Sequence, residues 1–212
     1  IDTEYWKDDL AAIVPNKRLD GIRVPKVEDE NTVKIIDEEL SRLEEQNGLP
    51  VGKLSLHCLL ETAHGIWNAY EIAKASPRIE AIIPGGEDLR ADLKTNRSDD
   101  STELEWARRM LVFAARAAGV EPLDTVFARI TDDEGLRKET EFIKQLGFSG
   151  KSIIHPSMSP IGPKTPPVFV NNTAPTKLFN ELPPYERACL RLPFSTELDH
   201  NRLLQKDDSA KS

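Results

Sequence analysis

At 212 residues, 39% of them hydrophobic and 30% charged, the chain has the make-up of a globular protein long enough to bury a sizeable core. A formal net charge of −8 argues against general affinity for nucleic acid or anionic membrane. No stretch approaches the run of about 18 apolar residues that a membrane-spanning helix needs.

Two cysteines, Cys58 in an apolar strand and Cys189 in a late helical segment, give no disulfide framework. They favour a reducing, intracellular compartment, with cytoplasm and mitochondrion not distinguishable. The sequence starts with Ile1 and shows no signal or transit character, as a fragment or processed product would.

In chain order, Trp6 to Val14 reads as a short amphipathic helix with Leu10, Ile13 and Val14 on one face. Asp20–Glu28 is a short strand running into a loop. Asn31 or Thr32 is expected to cap a helix carrying Val33, Ile36, Leu40 and Leu43, which stops at Asn47-Gly48. A strand over Leu54–Glu61 is followed by one helix through Ile66, Tyr70 and Ala73, ending before Ser76-Pro77. Next come a strand at Ile79–Ile83, a glycine-rich loop and a polar stretch from Lys94 to Thr102. A helix over Glu103–Ala118 closes at Gly119, with Arg108-Arg109 read as a solvated face beside Glu103 and Glu105. A strand at Leu123–Phe127, a helix from about Asp133 to Leu146 and a strand over Lys151–Pro156 complete the series. Five strands with helices between them make an α/β pattern with parallel strands.

After Pro156 the character changes: eight of the 15 prolines lie between Pro160 and Pro193. Ser159–Pro184 reads as an irregular arm, followed by a weak helix from Tyr185 and a disordered end. The division expected is 1–158 for a catalytic domain and 159–212 for a Pro-rich arm and tail.

The chemistry points to two strand ends. Leu60-Glu61-Thr62-Ala63-His64-Gly65 and Pro84-Gly85-Gly86-Glu87-Asp88-Leu89 each put a carboxylate where an apolar strand stops, which in parallel α/β folds is where chemistry is done. Glu61 and Asp88 lie 88 − 61 = 27 residues apart, about one strand-helix-strand repeat, so neighbouring strands would present them side by side. Two hard oxygen ligands beside Gly-Gly suit Mg²⁺. His64 is read as opening the next helix, and His57 as an interior residue pointing the same way as Glu61 by strand alternation.

With Val24-Pro25-Lys26-Val27-Glu28, Leu146-Gly147-Phe148-Ser149-Gly150-Lys151 and Ile154-His155-Pro156, these motifs come in the order and spacing of one family. The chain resembles the citrate lyase beta-subunit-like proteins of the phosphoenolpyruvate/pyruvate-type barrel superfamily, over roughly residues 1–158. The resemblance implies a (β/α)₈ TIM barrel and a carbon–carbon lyase acting on a coenzyme A thioester. Citryl-CoA, malyl-CoA or citramalyl-CoA would give acetyl-CoA and a 2-oxo acid such as oxaloacetate. By position, Glu61 and Asp88 match the family's Mg²⁺ ligands. Gly85, Gly86 and Glu87 match the loop whose amides meet the 2-oxo acid carboxylate, and Ile154 and His155 match positions near the thioester or coenzyme A. Lys26, beside Glu28, is open to two readings, a salt bridge or a contact to coenzyme A phosphates. A homo-oligomer, trimer or larger, is a further expectation from the family.

The chain also departs from the family. Three strands expected before Gly21–Pro25 are missing, roughly 90 residues of a barrel of about 250, so a TIM barrel truncated at its N-terminus is expected, with about five of eight strands. The family's arginine at the end of the third strand and a catalytic aspartate after Ile-His-Pro have no counterpart, and no catalytic residue is assigned beyond the metal ligands. The alternatives to a lyase are a binding protein without turnover and a truncated, inactive member.

Overall fold

Residues 3–16, 19–154 and 158, with the backbone of 168–170, are described by a computed structural model. The chain divides into two units, residues 1–125 and 126–212. In the first, helix α1 (Trp6–Ile13) buries Leu10, and its C-capping residue Val14 is buried one turn on, while Ile13 stays 43% exposed and leaves the expected apolar face.

Strand β1 (Gly21–Val24) leads into α2 (Glu30–Gln46), which buries Val33, Ile36, Leu40 and Leu43 as its spacing predicts. Its cap is Asp29, upstream of the Asn31 or Thr32 expected. The Asp29 carboxylate accepts the Thr32 N–H at 2.8 Å, so Thr32 is the capped residue and the helix starts earlier.

Strand β2 (Ser55–Leu60) alternates buried Leu56, Cys58 and Leu60 with half-buried Ser55, His57 and Leu59. Cys58 is a buried free thiol, pushed up to about 12 by burial. The single helix expected next is two, α3 (Ala63–Trp67) and α4 (Ala69–Ala73). They break at Asn68, whose side-chain amide donates to the Glu28 carbonyl at 3.0 Å. Strand β3 (Ile79–Pro84) is buried at every position except Glu80.

The expected glycine-rich loop is a helix from Gly86: α5 spans Gly86–Asp92, with Glu87 and Asp88 in its first turn. Acidic residues suit that position because the helix N-terminus carries partial positive charge. A 3₁₀ turn (Thr102–Leu104) precedes α6 (Glu105–Ala118), which ends on left-handed Gly119. Strand β4 (Glu121–Asp124) starts and ends earlier than the apolar run Val126-Phe127 suggested.

β1, β2, β3 and β4 pair in that order, all parallel. The register carries Val24 beside Cys58, and Leu60 beside Pro84. Helices α4 and α6 pack on β3, and α6 also covers β4. Fully buried Leu56, Leu60 and Ile82 form the middle of this core, each contributing about 1.5–3 kcal/mol by leaving water.

Two buried ion networks fix the frame. At the start of the strands, Arg78 donates to Asp37, to Glu44 Oε2 at 2.7 Å and to Ser41 Oγ at 2.8 Å, while Glu44 also accepts the Gly52 and Leu54 amides. At the other end, Arg108 overturns the solvated-face expectation. It is fully buried and clasps both Asp124 oxygens, at 2.8 and 2.9 Å, while Arg109 stays exposed beside Glu105. The two arginines are adjacent in sequence but a hundred degrees apart around the helix.

In the second unit, α7 (Asp133–Leu146) is capped by Asp132 and ends at left-handed Gly147. Strand β5 (Gly150–Ile153) pairs in parallel with β6 (Val168–Val170). Phe127, Leu136, Ile153 and Met158 form its core, with Ile154 packed against them. Lys151, buried, is ion-paired to Glu139 at 2.5 Å. His155 and Pro156, and apart from the β6 backbone all of 159–212, lie outside the described residues. No helix among the described residues is long and apolar enough to cross a membrane.

Candidate metal and substrate site

Glu61 follows the last residue of β2, and Asp88 stands in the first turn of α5, two residues into the helix that follows β3. Because β2 and β3 are adjacent and parallel, both carboxylates emerge at the same end of the sheet. Glu61 is half-buried: burial pushes its carboxyl above the usual range, the Lys26 amide draws it down, and the negative charge of Asp88 pushes it up again. The two acids therefore share one electrostatic site.

Close approach at this end depends on glycine. A Cβ on Gly85 would stand 2.2 Å from Glu61 Cγ and 2.6 Å from its Oε1, so the Glu61 side chain occupies the space that any other residue would fill. At Gly65 a Cβ would meet the Val27 carbonyl at 2.6 Å, which brings α3 against the loop carrying Lys26. Thr62 caps α3 by accepting the Gly65 N–H at 3.1 Å, and Asp92 accepts the Ala63 N–H at 2.7 Å. The last residue of α5 thus ties down the loop behind Glu61.

Lys26 lies between the acids. Its N–H donates to Glu61 Oε2 at 2.8 Å, and its ammonium stands 3.8 Å from Asp88 Oδ2. Sequence adjacency suggested Glu28 as its partner; Glu28 instead faces His64, with Oε2 3.9 Å from Nδ1. His64 is exposed in the first turn of α3, also contacting Asn68. His57, on the Glu61 side of β2, stands 3.7 Å from Glu80.

Of the amides assigned to a substrate carboxylate, two have partners inside the protein. Gly85 N–H donates to the Leu60 carbonyl at 2.9 Å, and Gly86 N–H to Thr125 Oγ1 at 2.9 Å. The Glu87 amide belongs to the first turn of α5, where no intrahelical acceptor exists. The Glu87 side chain is held by Arg97 and by Arg90 at 3.1 Å. Arg90 is itself buried against Glu103, the Gly86 carbonyl and Ser101. Thr125, Arg90, Glu103 and Asp92 shape this site, and sequence reasoning missed them all; only the polar loop around Arg97 drew notice. Ile154 packs in the second unit's core, and His155 lies outside the described residues.

The donors fit a hard divalent cation: two carboxylates, one lacking space for any neighbour but glycine, with the Lys26 ammonium beside them. Among the described residues no group of three or more His, Cys, Asp or Glu comes together. A metal held by two carboxylates and otherwise by water and substrate oxygens is the usual manner of Mg²⁺.

Parallel strands whose carboxyl ends carry the polar site place this chain among α/β proteins with a half-barrel sheet. The chain belongs to the HpcH/HpaI aldolase/citrate lyase family, which matches residues 1–156. It is 42% identical over 156 residues to the citrate lyase subunit beta of Leuconostoc mesenteroides subsp. cremoris, covering 74% of this chain and 51% of that protein. A (3S)-malyl-CoA thioesterase of Cereibacter sphaeroides is 33% identical over 180 residues, 85% of this chain and 58% of that one. Among solved structures, the citrate lyase beta subunit complexed with oxaloacetate and magnesium from M. tuberculosis superposes with a TM-score of 0.60 at 29% identity, covering 74% of this chain and 65% of that one. The chain spans about half the length of the curated relatives it matches.

Proposed function

We propose that this chain carries the metal site of a Mg²⁺-dependent carbon–carbon lyase that cleaves a 3-hydroxyacyl-CoA thioester of the citryl-CoA, malyl-CoA or citramalyl-CoA type to acetyl-CoA and a 2-oxo acid. The observation that carries the proposal is the meeting of Glu61 and Asp88 at the ends of adjacent parallel strands, with Lys26 between them. Relatives named for citrate lyase, and a related structure holding oxaloacetate and magnesium, support it.

In this reading Glu61 and Asp88 hold Mg²⁺, and residues 1–158 are the catalytic domain. The metal supplies a Lewis acid for the charge that develops as a substrate hydroxyl becomes a carbonyl and the carbon–carbon bond breaks. Gly85 leaves room for the Glu61 side chain, and Gly86, bonded to Thr125, sets the start of α5. Of the three loop positions, Glu87 has the amide suited to the 2-oxo acid carboxylate. Ile154 and His155 remain the proposed thioester contacts, and self-association as a trimer or larger belongs to the same proposal.

A second reading, thioester hydrolysis to free coenzyme A and a hydroxy acid, is favoured by the malyl-CoA thioesterase relatives. Product analysis with citryl-CoA and malyl-CoA separates the two: acetyl-CoA with a 2-oxo acid indicates the lyase, and free coenzyme A the thioesterase. Asp88→Asn should abolish Mg²⁺-dependent turnover and leave the melt within about 0.5 kcal/mol of the parent, because the side chain is 54% exposed and outside the core. Full activity in that variant would refute the metal assignment.

A further inference from the structure

Lys26 has a backbone that a lysine seldom adopts, with φ at +51°. The next residue cannot relax it: Val27 is fully buried and its N–H is bonded to the Leu59 carbonyl at 3.0 Å. The strained turn aims both ends of one residue at the acids. The N–H meets Glu61 Oε2 at 2.8 Å, and the ammonium reaches to 3.8 Å from Asp88 Oδ2. An amide is a fixed partner, whereas an ammonium on a four-carbon stem, 58% exposed, can leave without disturbing the fold.

We infer that the Lys26 ammonium is the internal counter-ion of the Glu61–Asp88 pair, standing by Asp88 when no metal is bound and displaced from it when Mg²⁺ enters. This rests on the metal reading of the pair and adds to it a competitor built into the chain. Two like charges held together need positive charge nearby, and the amide of Lys26 supplies only a dipole. A dication at Asp88 repels the ammonium that stands 3.8 Å from Oδ2, so Mg²⁺ binding drives the ammonium away from that contact. The left-handed turn keeps the lysine root in place, ready for the ammonium to return when the metal leaves.

The test is calorimetric titration of the 212-residue chain with Mg²⁺ at low ionic strength. Lys26→Met and Lys26→Gly should both bind Mg²⁺ about two- to fivefold more tightly than the parent, the range set by one exposed ion pair. The glycine variant retains the N–H to Glu61 and relieves the positive φ, so it guards against a change that only unsettles the turn. Lys26→Arg, which keeps the charge, should bind as the parent does. Lys34→Met makes the same change in net charge on α2, where Lys34 pairs with Glu30, and should leave Mg²⁺ affinity unchanged. The tightening should shrink in about 0.5 M salt, since the pair is exposed to screening. Equal affinity in the parent and both neutral variants would overturn the counter-ion role alone, as would equal tightening in Lys34→Met. Absence of Mg²⁺ binding in every variant would overturn the metal reading along with it.

Discussion

Gly85 and Glu61 show how one missing side chain makes room for another. Gly85→Ala would put a methyl group into the Glu61 carboxylate, and the atoms it meets belong to a flexible side chain, so Glu61 moves and the fold holds. The expected result is a loss of about 1 kcal/mol in stability with Mg²⁺ affinity down at least about tenfold. Calorimetry beside a melt would check both, and unchanged affinity would show that the contact does not position the acid. Glu103 offers a pH test at the same scale. Burial pushes its carboxyl up, but hydrogen bonds from Ser98 and Arg90 win and hold it at about 2, below the 4.5 of an unperturbed glutamate. A depressed carboxyl stabilises the fold above pH 4.5, and that contribution is lost as pH falls through 4.5 towards 2. Glu103→Gln should lose roughly 2–3 kcal/mol at neutral pH and show a flatter acid limb in melts from pH 6 to pH 2. At this scale the sequence told much about acids and little about their partners. The convergence of Glu61 and Asp88 was legible because one follows an apolar strand directly and the other comes four residues after the next. Lys26 was not, because adjacency to Glu28 outweighed a contact made across two strands. Arg108 was hidden by its exposed neighbour, although Leu104, Ala107, Leu111 and Ala115 put the buried stripe of α6 within reach of it.

At the scale of elements, the two ends of the sheet have different duties. The Arg78 network ties α2 to the start of β2 and β3, away from Glu61 and Asp88. Arg78→Met leaves Glu44 buried without its cation and should cost about 3–5 kcal/mol in a denaturant melt. A cost under about 1 kcal/mol would mean that the network adds no stability. Strands β1 to β5 and most helices were legible from apolar spacing and from glycine stops, and α7 ends where Gly147 predicts, whereas β6 lies in the stretch read as an irregular arm. Two misses have identifiable causes, one local and one distant. Gly85-Gly86 reads as loop, yet Gly86 opens α5, with the acidic first turn as the overlooked signal. The α3–α4 break at Asn68 depends on a bond to the distant Glu28 carbonyl, which no local pattern encodes.

For the whole molecule, alternation of strand and helix foretold the parallel order β1 to β4, and that order delivers both acids to one end. The partnership of Arg108 with Asp124, and of Thr125 with Gly86, spans 16 and 39 residues and had no trace in local spacing. The first joins α6 to the end of β4 and the second joins the residue after β4 to the start of α5, so the geometry around Glu61 and Asp88 depends on the first unit as a body. A thermal melt of the 212-residue chain with Mg²⁺, oxaloacetate, both or neither, alongside Asp88→Asn, tests the Glu61–Asp88 metal site directly. A ligand at about 100 times its dissociation constant adds about 2.7 kcal/mol, a readily seen shift. A metal site built on Glu61 and Asp88 gives a rise in the parent when both are present and none in Asp88→Asn. An equal rise in the two proteins, or none in the parent, would contradict it.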